Sequence, residues 1–201
     1  MTITIPPGEF DAFIFDCDGT LIDSMALHLD AWRAALELHG FPRDQFTDKM
    51  HYDFAGMPGP AIVKMLNGQF GTNLSPAEVE AAKLEWYLAH HDEIKPVTAV
   101  VEIARARFGK IPMAVASGSD AEIVRQGLNA VGILEWFPTI ITPADVAEGK
   151  PAPDMFLLAA KRLGVEPRRC LVFEDGQLGI QAADAAGMAH VFVPTPALAE
   201  C

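Results

Sequence analysis

Two aspartates one residue apart, Asp16 and Asp18, stand where a short apolar run over residues 10–15 stops abruptly at Asp-Cys-Asp-Gly-Thr. Paired carboxylates of this kind can divide labour. One attacks an electrophile such as phosphorus, and the other, displaced along the turn, handles the leaving-group proton. Three more apolar runs lead into polar groups: Ser117 after residues 111–116, Lys150 in the loop after 139–142, and Glu174 with Asp175 after 170–173. Brought together, four carboxylates would repel one another unless a cation lay between them, and an all-oxygen donor set suits Mg²⁺. A lysine and a hydroxyl are the residue types expected around a phosphate. Gly19 would let the backbone approach a ligand closely.

The elements that must position these groups follow from periodicity and punctuation. Strands are predicted over 10–15, 111–116, 139–142, 170–173 and 190–193. Residues 23–92 read as helical throughout, with no strand signal. A helix over 23–38 has Asp23 or Ser24 as N-cap and Gly40 as its stop. A Gly/Pro break at 56–60 precedes a short amphipathic helix over 61–66, and the capping box Ser75-Pro76-Ala77-Glu78 opens a helix running to about residue 91. Further helices are predicted over 97–107, stopping at Gly109, from a second capping box Ser119-Asp120-Ala121-Glu122 to 130, over 153–163, and over 178–186, stopping at Gly187. Alternation of strand and helix implies a parallel sheet with helices on both faces. The expected architecture is an α/β, Rossmann-like core of residues 1–22 and 93–201, with residues 23–92 as a small inserted all-helical cap. In such a sheet the carboxyl ends of the strands share one edge, where open α/β folds bind ligands. Residues distant in sequence would therefore converge.

Composition narrows the function classes. Half of the 201 residues are hydrophobic, enough for a full core. No apolar run approaches the ~18 residues of a membrane helix, and residues 1–9 lack a leader pattern. A formal charge of −12 argues against nucleic acid or an anionic membrane as the main partner. The same field repels a phosphate, so local cations, amides or a metal must reverse it at the site. Cys17, Cys170 and Cys201 form no paired framework and no Cys-x-x-Cys spacing; Cys17 and Cys170, inside apolar runs, read as small core residues in a reducing cytoplasm.

Taken together, Asp16 to Thr20 (DCDGT), Ser117 to Ser119 (SGS), Gly149 to Asp154 (GKPAPD) and Phe173 to Ile180 (FEDGxxGI) resemble the haloacid dehalogenase-like hydrolase superfamily, in its order and across nearly the whole chain. The subgroup resembled contains β-phosphoglucomutases and sugar phosphatases such as fructose-1-phosphate phosphatase. The resemblance implies that Asp16 is the nucleophile, forming an aspartyl-phosphate, and also a Mg²⁺ ligand. Asp18 would be general acid and base, with its main-chain carbonyl on the metal. Ser117, Gly118 and Lys150 would hold the phosphate, and Glu174 and Asp175 would complete the metal site.

An acid at position 18 separates the chain from the metal-independent dehalogenases of that superfamily. Lys49 and Lys64 do not match the Schiff-base lysine of the phosphonatases. The rival reading is a phosphomutase, which must grip two phosphates. Here Asp120 stands where the mutases carry a base, and the stretch Gly56-Met57-Pro58-Gly59-Pro60 has no arginine. A non-catalytic binding module is disfavoured, because nothing in folding requires clustered acids.

Blander readings accompany several residues. Ser117 is also a candidate helix cap, and Glu174-Asp175 a candidate turn and N-cap. His90 and His91, with Asp92, point about 100° apart on a helix and read as solvated rather than metal-binding. His28 and Trp32 share a helix face; Trp32 reads as packing, and His28 as either packing or a substrate contact. Phe54, Met57 and Pro58 either line the site or hold the cap together. The expectation is a monomeric, cytoplasmic, Mg²⁺-dependent phosphatase of a small phosphate ester.

Overall fold

The computed structural model describes residues 3–55, 57–91 and 94–194. In chain order come β1 (Ala12–Phe15), β2 (Ile22–Asp23), α1 (Met25–Leu38), α2 (Asp48–Asp53), α3 (Gly59–Phe70), α4 (Pro76–His90) and β3 (Lys95–Pro96). Helices and strands then alternate: α5 (Thr98–Arg107), β4 (Met113–Ala116), α6 (Ala121–Ala130), β5 (Thr139–Ile141), α7 (Asp154–Leu163), β6 (Cys170–Glu174), α8 (Gln177–Ala185) and β7 (Ala189–Phe192). Five strands form a parallel sheet in the order β5-β4-β1-β6-β7.

The two faces of this sheet are chemically different, and the period-2 alternation of the strands is the reason. Phe13 and Phe15 of β1, Met113 and Val115 of β4, and Leu171 and Phe173 of β6 point to one face, where α5 and α6 cover them. Phe15 and Phe173 stack there at 4.7 Å. Ala12, Ile14, Ala114, Ala116, Cys170 and Val172 point to the other, under Met155, Phe156, Ala159 and Ala160 of α7 and Ala182 and Ala183 of α8. Every strand between the edges is buried on both sides, as parallel sheets require. This is the α/β, Rossmann-like fold expected, and Cys17 and Cys170 are buried in it as small apolar residues. Cys201 lies outside the described residues.

The helices between β2 and β3 bury an apolar cluster of their own, including Trp32, Leu36, Phe41, Phe46, Ile62, Val63, Leu66 and Val79. Tyr87 and Ala31 join the cluster beneath the sheet instead. Gly127 of α6 makes room for this contact, since a Cβ there would overlap Ile22.

Several local expectations need correction. Residue 23 is not helical: β2 pairs antiparallel with β3 through Ile22↔Pro96 and Asp23↔Lys95, a two-residue ribbon too short for a periodicity signal. The helix expected over 61–66 extends over Gly59–Phe70, and α2 was not foreseen. Neither predicted capping box forms through its serine. Ser75 is the N-cap of α4 without a side-chain cap bond, and the N-cap of α6 is Asp120, not Ser119. Ser24, one of the two expected N-caps, is the N-cap of α1, also without a side-chain cap bond. His90 stacks on Trp86 at 3.9 Å and contacts the Trp86 carbonyl through Nδ1. Asp92 and Gly56 lie outside the described residues.

Candidate active site

The parallel ladder continues one residue past two central strands, and this places the first side chains of the site. The Asp16 amide donates to the Phe173 carbonyl at 2.9 Å, and the Ser117 amide to the Ile141 carbonyl at 3.0 Å. Both side chains thus sit at the carboxyl edge of the sheet. Behind Asp16 the chain reverses sharply: the amides of Thr20, Leu21 and Ile22 all converge on the Cys17 carbonyl, with Gly19 at φ +84°. Glycine is the residue that adopts this φ without a Cβ clash.

Lys150 ties the acids together. Its Nζ donates to Asp16 Oδ1 at 2.6 Å and to Glu174 Oε2 at 2.7 Å, all three side chains being buried. Burial disfavours the charge on Lys150, but the two carboxylates outweigh it and hold the ammonium charged. The other oxygen of Glu174 accepts from the Gly176 amide at 3.0 Å. Asp175 stands beside them and accepts from Thr20 Oγ1 at 3.3 Å. Its carboxyl is pushed up to about 8 by burial, then by the charge of Glu174. Burial likewise raises Asp16, with Glu174 adding to it and Lys150 only partly offsetting it.

Asp18 faces a different set of partners. Ser24 Oγ donates to its Oδ1 at 2.6 Å and His28 Nε2 lies 2.9 Å from the same oxygen. On Oδ2 it takes Ser119 Oγ at 2.7 Å and Ser117 Oγ at 3.5 Å. Burial works against its charge, yet His28, Ser24 and Ser119 prevail, so its carboxyl lies well below the usual carboxylate range. An ionised carboxylate only accepts, so Nε2 of His28 must carry the proton aimed at it. Burial in turn lowers the basicity of His28, which stacks on Tyr87 at 4.5 Å.

The sheet therefore brings Asp16, Lys150, Glu174 and Asp175 into one cluster, with Asp18 and Ser117 at its side. Oxygens of Asp16, Glu174 and Asp175 lie within 4.8 Å of one another; the Asp18 carboxylate is not among them. Ser117 does not cap a helix: its Oγ accepts from the Ser119 amide at 3.1 Å. Nor do Glu174 or Asp175 provide the N-cap of α8, which is Gly176. Ser24, Ser119 and Thr20 are the site residues that sequence reasoning passed over. For Ser24 a signal existed, since it lies four residues before His28 and so on the same side of the chain.

Above these groups opens a cavity of about 410 Å³, whose walls also include Gly118, His28, Phe54, Met57, Pro58, Glu80, Lys83 and Asp120. Trp32 lines it too while packing against Phe46, so the packing expected of it is only part of its place.

The donor set at the cluster is compatible with a hard cation. All its ligand atoms are oxygens, and two buried carboxylates share a single lysine with a half-buried third, Asp175, beside them, which leaves negative charge that Mg²⁺ would neutralise.

An open parallel sheet with reactive groups gathered at its carboxyl edge defines an α/β enzyme that works at its strand ends. The chain belongs to the haloacid dehalogenase-like hydrolase family, whose profile matches residues 10–187. It is 35% identical over 186 residues to the fructose-1-phosphate phosphatase YqaB of Escherichia coli, covering 92% of this chain and 97% of the relative. Hexitol phosphatase A of the same organism is 28% identical over 190 residues, with 92% and 83% covered. Among solved structures, a hydrolase from Pseudomonas syringae superposes with a TM-score of 0.79 at 26% identity, covering 90% of this chain and 83% of that one.

Proposed function

We propose that the protein hydrolyses the phosphate monoester of a small sugar or polyol, with Asp16 as nucleophile and residues 23–92 acting as a cap over the site. The observation that carries this reading is the buried Asp16–Lys150–Glu174 chain, with Asp175 beside it, at the floor of a cavity large enough for a metabolite. The names of the relatives, a fructose-1-phosphate phosphatase and a hexitol phosphatase, favour this substrate class.

In the first step an oxygen of Asp16 forms a bond to phosphorus as the ester oxygen departs, leaving the phosphoryl group on the Asp16 carboxylate. The departing oxygen takes a proton from Asp18. In the free protein Asp18 is ionised, so it must gain that proton as the phosphate dianion arrives and raises its proton affinity. In the second step Asp18, again a carboxylate, takes a proton from water while the water oxygen attacks phosphorus and Asp16 is released. Ser117, the Gly118 backbone and Lys150 bind the phosphate oxygens, and Lys150 opposes the charge that develops on them. Mg²⁺ held by Asp16 and Asp175, with Glu174 alongside, would supply further positive charge for the transferring group. The apolar wall of Phe54, Met57 and Pro58 excludes bulk water, which strengthens each of these interactions.

Phosphate release from a panel of hexose, pentose and polyol phosphates tests the proposal, run with Mg²⁺, with EDTA, and with Asp16→Asn as the blank. Release that needs Mg²⁺ and vanishes in the variant is the expected result. A folded protein that releases phosphate from no ester would overturn it.

A further inference from the structure

Among the described residues one buried side-chain polar atom has no hydrogen-bond partner, the hydroxyl of Tyr87 on α4. The side chain is fully buried, with its hydroxyl close to Gly127 of α6. Leaving such a group unpaired costs about 1–3 kcal/mol, and phenylalanine would fill the same place without that cost. A tyrosine here therefore calls for a use other than packing. Its neighbours supply one. The Tyr87 ring stacks on the His28 imidazole, with centroids 4.5 Å and planes 27° apart. Burial pushes the Tyr87 hydroxyl far above the usual phenol range, and the adjacent Ser24 hydroxyl acts against that shift, though the two form no aligned bond in the free protein. Ser24 and His28 are the N-cap and the fourth residue of α1, one turn apart, the His28 amide donating to the Ser24 carbonyl at 2.9 Å. Both present their side chains to the same acceptor, Asp18 Oδ1. The other oxygen, Oδ2, meets Ser117 and Ser119 at the sheet edge, on the side of the phosphate site. Tyr87 thus backs both groups that hold Oδ1, without itself forming part of the cavity wall.

We propose that Tyr87 is a positioning residue for the acid–base step: it fixes His28 and Ser24 as the donors on Asp18 Oδ1, so that Oδ2 stays turned toward the ester. The proposal rests on the phosphatase reading above. A serine hydroxyl has one proton and rotates to suit its neighbours. A second hydroxyl donating to its oxygen commits that proton to Asp18. An aromatic ring stacked on the imidazole limits the rotation by which Nε2 would leave the same oxygen. With Oδ1 held by two donors the carboxyl plane is set. The departing ester oxygen then takes its proton from Oδ2, and the attacking water later gives one back to that same oxygen. Small errors in such an arrangement are expensive, because proton transfer needs the two heavy atoms at hydrogen-bond distance.

The test uses the leaving group. A sugar or polyol oxygen needs a proton as it departs, whereas p-nitrophenolate and acetate do not, so only the first kind depends on a well-placed acid. The ratio of kcat/KM for a hexose or hexitol monophosphate to that for p-nitrophenyl phosphate or acetyl phosphate is measured for the wild type, Tyr87→Phe and Tyr87→Leu, all with Mg²⁺. This constant reports the steps up to phosphorylated Asp16, in which the leaving group departs. Tyr87→Phe removes the hydroxyl and keeps the ring; it should lower the ratio about three- to tenfold, the range of one hydrogen bond. Tyr87→Leu, which also removes the stacked ring, should lower it further. A role in packing alone predicts a different result, since loss of active protein changes both constants together and leaves the ratio where it was. A Tyr87→Phe ratio equal to that of the wild type would overturn the assignment, and this variant decides alone if Tyr87→Leu does not fold. Wild-type release with an unmoved ratio removes only the role of Tyr87, whereas no release from any ester removes the phosphatase reading and this role with it.

Discussion

Alanine at Gly179 should destabilise the protein, although glycine to alanine inside a helix ordinarily stabilises by about 1 kcal/mol. Gly179 is the third residue of α8, and a Cβ built there would overlap the Glu174 carboxylate. Glu174 is buried and cannot swing into solvent without leaving Lys150, 2.7 Å from Oε2, and the Gly176 amide, 3.0 Å from Oε1. Breaking a buried pair while its charges stay buried costs about 3–5 kcal/mol. Setting the helix gain against that leaves a net loss of about 2–4 kcal/mol, or roughly 5–15 °C in Tm for a chain of this size. Lys150 also loses one of its two anchors, and misplacing a catalytic group by about 1 Å can cost about 10²-fold in rate. Gly68 of α3 is the control: a Cβ there meets nothing within 4 Å, so Gly68→Ala should raise Tm slightly. The assay is thermal unfolding of both variants with phosphate release measured in parallel. If Gly179→Ala proved as stable and as active as Gly68→Ala, the claim that Glu174 is held in one position by the close approach of α8 would be wrong.

Two further predictions concern protons. Removing the Ser119 hydroxyl takes one of the donors from Asp18, 2.7 Å away; in Ser119→Ala the acid limb of the pH–rate profile should move up by about one to two units, since a bond to a charged group is worth about 1.5–3 kcal/mol and one unit is 1.36. Superimposable profiles would mean that the hydroxyl does not act on the group that titrates. Burial holds His51 down to about 3, its Nε2 lying 3.0 Å from the Met25 carbonyl. The unfolded chain protonates near 6.5 and the folded one does not, so this stability is present above that value and lost as pH falls toward 3. By pH 5 the loss amounts to about 2 kcal/mol, and urea titrations of His51→Gln, which keeps a donor but cannot charge, should show a shallower decline between pH 7 and 5.

Much of the fold was legible because its signals are local. A strand buried on both faces must be a short, continuous apolar run, and the residue after it must be polar where the sheet edge opens. Asp16, Ser117 and Glu174 announce themselves in that way, each at the end of such a run. The glycines that stop α1 and α8, Gly40 and Gly187, take positive φ values that other residues avoid. The motif set also carried the family, because chemistry at one sheet edge demands the same residue types at the same strand ends.

Partner choice was not legible, and the reason is distance. Lys150 stands 134 residues from Asp16, and Ser119 stands 101 from Asp18. Only the strand order β5-β4-β1-β6-β7 sets the loops after β1, β4, β5 and β6 side by side. Ser119 illustrates the competition: by local rules its Oγ should accept an amide of α6, but in the packed structure the hydroxyl is turned to donate to the ionised Asp18 carboxylate, a stronger, charge-assisted bond. Nothing in the sequence sets Glu80 and Lys83 apart; the packing of α4 alone brings them to the cavity wall. Sequence determined which groups stand at the strand ends and what chemistry they can perform. The tertiary structure decided which of them touch, because a hydrogen bond depends on ångströms, and packing of the whole chain sets those distances.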